Sequence, residues 1–137
     1  MKQPHLLSFD AVGTVENGFQ SIVQPNQLVP FDVRHFFWIF DVPDFGEWGN
    51  HAHRSAEQVL IPMQGVVRVW LENPRRRKFE FELHRPDQGL LIPARYWHRI
   101  QFYDRAVLLV LSSQASHETD YLTDYAVFRT LKEDPRE

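Results

Sequence analysis

The stretch GNHAHRSAEQVLIPMQG, residues 49–65, decides how this chain is read. Side chains alternate between the faces of a β-strand, so His51 and His53 share one face, roughly 7 Å apart, and Ala52 takes the other. Gln58 and Gly65 follow in the same stretch. A third histidine, His98, closes a later segment of similar character, GLLIPARYWH (89–98). We read the chain as a small β-barrel built around these three imidazoles, with a polar pocket that does the chemistry. A neutral imidazole can take and return a proton near neutral pH, and two of them can divide the roles of acid and base. Imidazole is also a common metal ligand.

Working outward, strand signals dominate. Upstream, VRHFFWIFDVP (33–43) is a dense β-branched and aromatic run, expected to be a fully buried strand or one shared with a partner subunit. Phe37, Ile39 and Asp41 fall on one face; Phe36, Trp38 and Phe40 fall on the other, with core packing expected for Trp38. Residues 5–24 read as two short strands around a turn at Asn17-Gly18, a dipeptide suited to tight hairpins. Residues 44–50 form a glycine-bearing turn, and 51–63 run as strand. Gln64-Gly65 is expected to turn the chain into VVRVWL (66–71). KFEFELH (78–84) alternates, with Phe79, Phe81 and Leu83 facing in. Residues 89–103 are two strand pieces broken at Pro93, and AVLLVLS (106–112) is a further apolar strand. In the tail the period changes: Tyr121, Leu122, Tyr125, Phe128 and Leu131 recur at three and four, which predicts a helix of about three turns. Thr119 or Asp120 would be its N-cap, and EDPRE (133–137) a frayed end.

The totals exclude several functions. A chain of 137 residues with 43% hydrophobic content suits one domain, 1–137, with a real core. The 14% aromatic content favours strands over a helical bundle. A net charge of -3 offers no basic field for nucleic acid, and Arg75-Arg76-Arg77-Lys78 reads as a solvated hairpin tip. The absence of cysteine removes disulfides and thiolate chemistry. The start of the chain carries no apolar signal segment, and no apolar run approaches the ~20 residues that span a bilayer. A soluble, cytoplasmic protein that binds neither nucleic acid nor membrane is expected. Isolated histidines (His5, His35, His84, His117) read as hydrogen-bonded core or surface residues.

The spacing resembles the cupin motif pair. Its first motif is His-x-His, four residues, Glu, six residues, Gly, filled here by His51, His53, Gln58 and Gly65. The second runs Gly, Pro, then His five residues after the proline, filled by Gly89, Pro93 and His98, with Arg95 where the pattern has Gly. The resemblance implies an all-β fold: a small cupin-type, jelly-roll antiparallel β-barrel with a short C-terminal helix. Metal-binding cupins present a Glu where this chain has Gln58, a neutral and weaker ligand. Glu57 points to the opposite face. An ion held by His51, His53, Gln58 and His98 is the alternative to a metal-free pocket in which Gln58 hydrogen-bonds a histidine.

Within the cupins, the chain resembles the WxcM-like sugar 3,4-ketoisomerases that act on dTDP-4-keto-6-deoxyglucose. The blocks that carry this are FFWIFDVP (36–43), GNHAHRSAEQVLIPMQGVVRV (49–69), the FEL, GLLIP and WH series (81–98), AVLLVLSS (106–113) and DYLTDYAVF (120–128), the last being the most discriminating. The resemblance implies a ketone moved from C4 to C3 of a nucleotide-linked hexose through an enediol, with no metal or cofactor and with His51 and His53 as acid and base. It implies a homodimer with N-terminal strands exchanged, and Arg34 near the diphosphate. From side-chain chemistry, Arg54 or Arg95 could pair with phosphates through planar forks, and Trp97 or Tyr96 could stack on a base or sugar. Two departures stand out: Phe37 lies in a strand where the family has tyrosines, and Trp48 where it has an arginine. They keep two other readings open, a non-catalytic sugar-nucleotide-binding cupin and a metal-dependent cupin enzyme.

Overall fold

A computed structural model describes residues 2–24, 27–115 and 118–132. Its axis is a pair of long antiparallel strands, β6 (Gln58–Glu72) and β9 (Trp97–Ser112), here numbered in chain order, which pair from Gln58 opposite Ser112 to Glu72 opposite Trp97. Every other strand but two hangs from this pair. At one end β8 (Gln88–Ile92) joins β6, β1 (His5–Ser8) joins β8, and β4 (His35–Ile39) joins β9. At the other end β7 (Lys78–Leu83) joins β6, β5 (Glu47–His53) joins β9, and β10 (Tyr121–Leu122) joins β5. All these pairings are antiparallel, as an up-and-back barrel or jelly roll requires.

The two ends are distinct half-sheets because β6 and β9 bend together. The ladder between them slips at Pro62/Gln64 and Gln64/Val66. Gly65, Asp104 and Arg105 take positive φ there, 74°, 55° and 54°. These are bulges, which add a residue on one strand and sharpen its bend. The turn expected at Gln64-Gly65 and the break expected before Ala106 are therefore kinks inside continuous strands. A β-carbon on Gly65 would lie 2.6 Å from Ala106 Cα and from the Asp104 carbonyl oxygen. Both are backbone atoms that cannot swing aside. We expect Gly65→Ala to lose about 2–4 kcal/mol, read as a lower urea midpoint with an unchanged m-value. A midpoint within experimental error of wild type would contradict this account.

The core lies between the half-sheets. Leu60, Leu90, Leu108 and Val110 of one meet Val67, Val69, Leu71, Leu83, Ile100 and Phe102 of the other. The expected inward set of β7 is correct, Phe79 and Phe81 packing at the margin of this core. A second cluster, Leu7, Phe9, Val29, Val59, Ile61, Leu91 and Leu111, covers the outer face of the first half-sheet.

Three expectations need correction. Residues 5–24 form three strands, not two: β1 joins the main sheet, and only β2 (Ala11–Thr14) and β3 (Gly18–Ser21) make the hairpin. Its turn spans three residues, Val15 to Asn17, because Thr14 pairs directly with Gly18. Second, β4 is half-buried rather than fully buried. Phe36, Trp38 and the following Phe40 are 62%, 56% and 58% exposed, so Trp38 is not in this chain's core. The sequence alternative of a strand shared with a partner remains.

Third, the three-turn C-terminal helix is not formed. A short 3-10 turn (Glu118–Asp120) leads into β10, and α1 (Tyr125–Phe128) is one turn, capped by Asp124 rather than by Thr119 or Asp120. The cause is tertiary: β5 needs an edge partner, and Tyr121 and Leu122 pair with His53 and Ala52. The apolar spacing is satisfied all the same, since Leu122 and Phe128 bury against Ala52. His117 and the 133–137 end lie outside the described residues, among which no helix is long and apolar enough to cross a membrane.

Candidate active site

His51 and His53 stand on the inner face of β5 because Ala52, fully buried, takes the outer one. His98, the second residue of β9, pairs directly opposite His51. The three rings meet: centroids lie 4.6 Å apart for His51 and His98, 5.1 Å for His51 and His53, and 5.9 Å for His53 and His98. Gly49 makes the approach possible. Its φ is 99°, and a β-carbon there would sit 2.8 Å from the His98 carbonyl oxygen and 3.2 Å from its ring.

The rings line a cavity of about 200 Å³. Its floor is apolar, from Leu60, Ile100, Val110 and Ile39, with Phe37 on the β4 wall. Gln58 is buried beside the imidazoles. Trp48 and Tyr121 form the exposed rim. Glu57 lies in the loop of residues 54–57 that interrupts the strand expected over 51–63, and its carboxylate accepts from Lys2 at 3.1 Å.

The low-dielectric surroundings set the charge. Burial holds His51 below its usual pKa, partly opposed by the Gly49 carbonyl that its Nδ1 meets at 3.1 Å. Burial, then repulsion from His51, lowers His53 to about 4, against the pull of Asp120. Burial pushes His98 well below its usual value. At neutral pH all three rings are uncharged, the state in which an imidazole can accept a proton. Both ring nitrogens of His53 and Nδ1 of His98 are buried without a hydrogen-bond partner among the described residues. Nitrogens of the three histidines also come within 4.8 Å of one another, close enough to share an ion.

Of the residues singled out in the sequence, His51, His53, Gln58 and His98 converge here, and the others stand elsewhere. Arg34 and Arg54 are exposed and do not line the cavity. Arg95 takes φ 64°, the backbone state for which the motif has Gly, and donates to the Arg54 and Lys132 carbonyls at 3.2 and 3.1 Å. Trp97 faces outward and packs on Tyr125 and Phe128. It lines a separate outer cavity of about 270 Å³ with Trp70, Lys78 and Arg99. Tyr96 is buried, its hydroxyl donating to the Lys2 carbonyl.

Two residues at the site were not singled out. Tyr121 stacks on His51 at 5.1 Å and 13° and meets His53 edge-on at 4.8 Å. Asp120 brings a carboxylate oxygen 3.4 Å from His53 Nδ1. The signal was present in the DYLTDYAVF block, read there as the start of a helix. A groove of about 220 Å³ between β3 and the β7–β8 turn holds only the Arg85–Asp87 pair as charged chemistry and lacks any imidazole.

Comparison with known proteins bears on this geometry. The family model described as FdtA, WxcM-like, C-terminal, matches residues 2–133. The TDP-4-oxo-6-deoxy-alpha-D-glucose-3,4-oxoisomerase of Aneurinibacillus thermoaerophilus is 33% identical over 108 residues, 78% of this chain and 77% of that protein. QdtA of Thermoanaerobacterium thermosaccharolyticum, a sugar 3,4-ketoisomerase solved with TDP, superposes with a TM-score of 0.86 at 30% identity, over 92% of this chain and 91% of its own. WlaRB of Campylobacter jejuni, a TDP-quinovose 3,4-ketoisomerase, gives a TM-score of 0.87 at 32% identity, over 94% and 98%.

Proposed function

Since the chain belongs to the FdtA, WxcM-like family, we propose that it is a 3,4-ketoisomerase of a TDP-linked 4-keto-6-deoxy sugar. The observation that carries this reading is the set of three uncharged imidazoles around one apolar-floored cavity. Moving a ketone from C4 to C3 requires removal of the C3 proton, an enediol, and delivery of a proton to C4. His53 and His51 are the proposed pair for these transfers, with Nε2 of each directed at the sugar. His98, Gln58 and the Tyr121 phenol would hold the hydroxyls and the developing enolate oxygen. The apolar floor excludes water and strengthens each of these contacts. Arg34, Arg54 and Trp97 stay as proposed contacts to the nucleotide from outside the cavity, and Arg95 as a support of its rim.

The test is incubation with TDP-4-keto-6-deoxyglucose in heavy water, followed by NMR. Deuterium at C4 of a 3-keto product is expected. Saturable binding without exchange would make the protein a non-catalytic sugar-nucleotide binder instead. The spacing of the histidine nitrogens is what favours a metal-dependent reading. Against it, Gln58 adds no charge to balance a divalent ion. We expect untagged enzyme treated with EDTA, and shown by mass spectrometry to be metal-free, to retain its full rate. Loss of the rate, with recovery on adding one divalent metal, would replace this reading with the metal-dependent one.

We also propose a homodimer that exchanges N-terminal strands. The support is the apolar outer face of β4, together with a β2–β3 hairpin whose Val12 and Phe19 are 61% and 62% exposed. Large exposed apolar patches mark interfaces. Light scattering should give twice the chain mass at micromolar concentration; a monomer there would remove the proposal. The setting proposed for the reaction is the cytoplasm, in the supply of deoxysugars for polysaccharide biosynthesis.

A further inference from the structure

We infer that the floor of the cavity, where Phe37, Val110 and Leu60 lie side by side with Ile39 next to them, is a methyl subsite that selects sugars lacking a C6 hydroxyl. The inference rests on the ketoisomerase reading above and names what the same cavity would reject.

The cavity is polar at one end and apolar at the other, and strand register draws the boundary. Across the first half-sheet, His35, Ser112 and Gln58 pair in a row on β4, β9 and β6. Two residues away on each strand, and so on the same face, Phe37, Val110 and Leu60 pair in the next row. The first row is wholly polar and the second wholly apolar. Ile39 continues β4 on that face, and it is buried together with Val110 and Leu60. On the second half-sheet His51 pairs with His98.

The chemistry of the substrate fixes how a hexose sits in this frame. C1 carries the diphosphate, so it points to the rim. C4 lies across the ring from C1 and goes deepest. C3 and C4 must meet the imidazoles, because protons leave and arrive there. C5 is on the other flank of C4, so its C6 substituent turns away from the imidazoles and toward Phe37, Val110 and Leu60. A methyl group there buries apolar surface on both sides of the contact. A hydroxyl would give up water and find no partner, since none of these side chains has a donor or acceptor. The backbone groups of Val110 and Leu60 lie in ladders with a strand on either side, directed along the sheet rather than into the cavity. The polar side chains of the lining stand elsewhere, His51, His53, His98 and Gln58 at the other end and Trp48 and Tyr121 at the rim. A buried hydroxyl without a partner weakens binding by about 10–100-fold.

The test uses sugars that cannot react. Calorimetry compares TDP-6-deoxyglucose with TDP-glucose, which differ by the C6 oxygen alone and carry no ketone. Wild type should bind the 6-deoxy sugar about 10–100-fold more tightly; affinities within about threefold of each other overturn the inference. Val110→Thr keeps the shape of the side chain and puts a hydroxyl into the apolar row, so the ratio should shrink by about threefold or more. Ile39→Thr makes the same change on β4, which pairs with β9 alone among the described strands, and decides the matter if the first variant does not fold. A ratio unchanged in the folded variants places the selection outside this row and overturns the assignment. If wild type discriminates but moves no ketone, the isomerase reading fails and the methyl subsite stands. If it moves the ketone while binding both sugars alike, the subsite alone fails.

Discussion

Replacing His53 by asparagine should lower kcat by about 10³-fold or more, while the protein folds and still binds TDP. The argument begins with capacity. Asparagine can donate and accept hydrogen bonds but cannot take or return a proton at neutral pH, so one of the two proposed acid–base partners is lost from the cavity. General base catalysis alone supplies about 10²–10⁴-fold. The lost imidazole also removes the group that links the cavity to the Asp120 carboxylate at 3.4 Å. The neighbours cannot stand in. His98 is fully enclosed, and burial disfavours the cation it would have to become. His51 lies 5.1 Å away and is tied by Nδ1 to the Gly49 carbonyl. The backbone around position 53 is secured independently by pairing with Tyr121 and by the Arg95 N–H donating to the His53 carbonyl at 2.7 Å. The fold and nucleotide binding should therefore survive. Deuterium incorporation measures the rate and calorimetry with TDP measures binding. A variant that exchanges within tenfold of wild type would remove His53 from the proton-transfer role.

The residues of the cavity divide by how their contacts arise. His51, His53, Gln58 and His98 were legible because strand alternation and motif spacing are local facts, and local facts survive folding. Asp120 and Tyr121 were not, because what places them is the pairing of a two-residue strand with β5, a contact across nearly seventy positions of chain. The same block satisfies helical spacing and strand pairing alike, and only the vacant edge of β5 decides between them. The bulges were hidden for a related reason. Gly65 signals positive φ on its own, but Asp104 and Arg105 adopt it without being glycine, under the constraint of the ladder on either side. The exposed side of β4 shows a limit of another kind: an aromatic strand reads the same whether its second face is covered by its own chain or by another. The structure also revises what Phe37 means. That residue does line the cavity without a hydroxyl, yet the site has a phenol, since Tyr121 brings one in from the opposite rim, stacked on His51. The function inferred from the histidines therefore loses less to that departure than the β4 strand alone suggests.

The same burial that readies His53 should make the fold acid-sensitive. Between pH 7 and pH 5, wild type is expected to lose about 2 kcal/mol of stability through His53 alone. The sign follows from where the proton binds. In the unfolded chain an imidazole titrates near 6.5; in the fold, burial and then His51 hold His53 at about 4. Between those values the unfolded state carries a proton that the folded state refuses, so each step down in pH favours unfolding. Above about 7 neither state is protonated and the effect is absent. Below about 4 both are protonated and the slope from this group ends, after a total near 3 kcal/mol. His98 and His51 are shifted in the same direction and add to the loss. Asp120 opposes it by stabilising the protonated ring, but burial and the neighbouring imidazoles outweigh one carboxylate at 3.4 Å. Urea denaturation from pH 8 to pH 5 measures the effect, and the difference between wild type and His53→Asn isolates this histidine from carboxylates that titrate lower. The variant should be the flatter of the two, less dependent on pH while nearly inactive. Parallel curves would mean that burial leaves the His53 pKa unshifted, and a wild-type curve that gains stability relative to the variant as pH falls from 8 would mean that His53 already carries its proton in the folded protein at neutral pH. It could not then accept one from the sugar, so a measurement of folding would overturn the catalytic assignment.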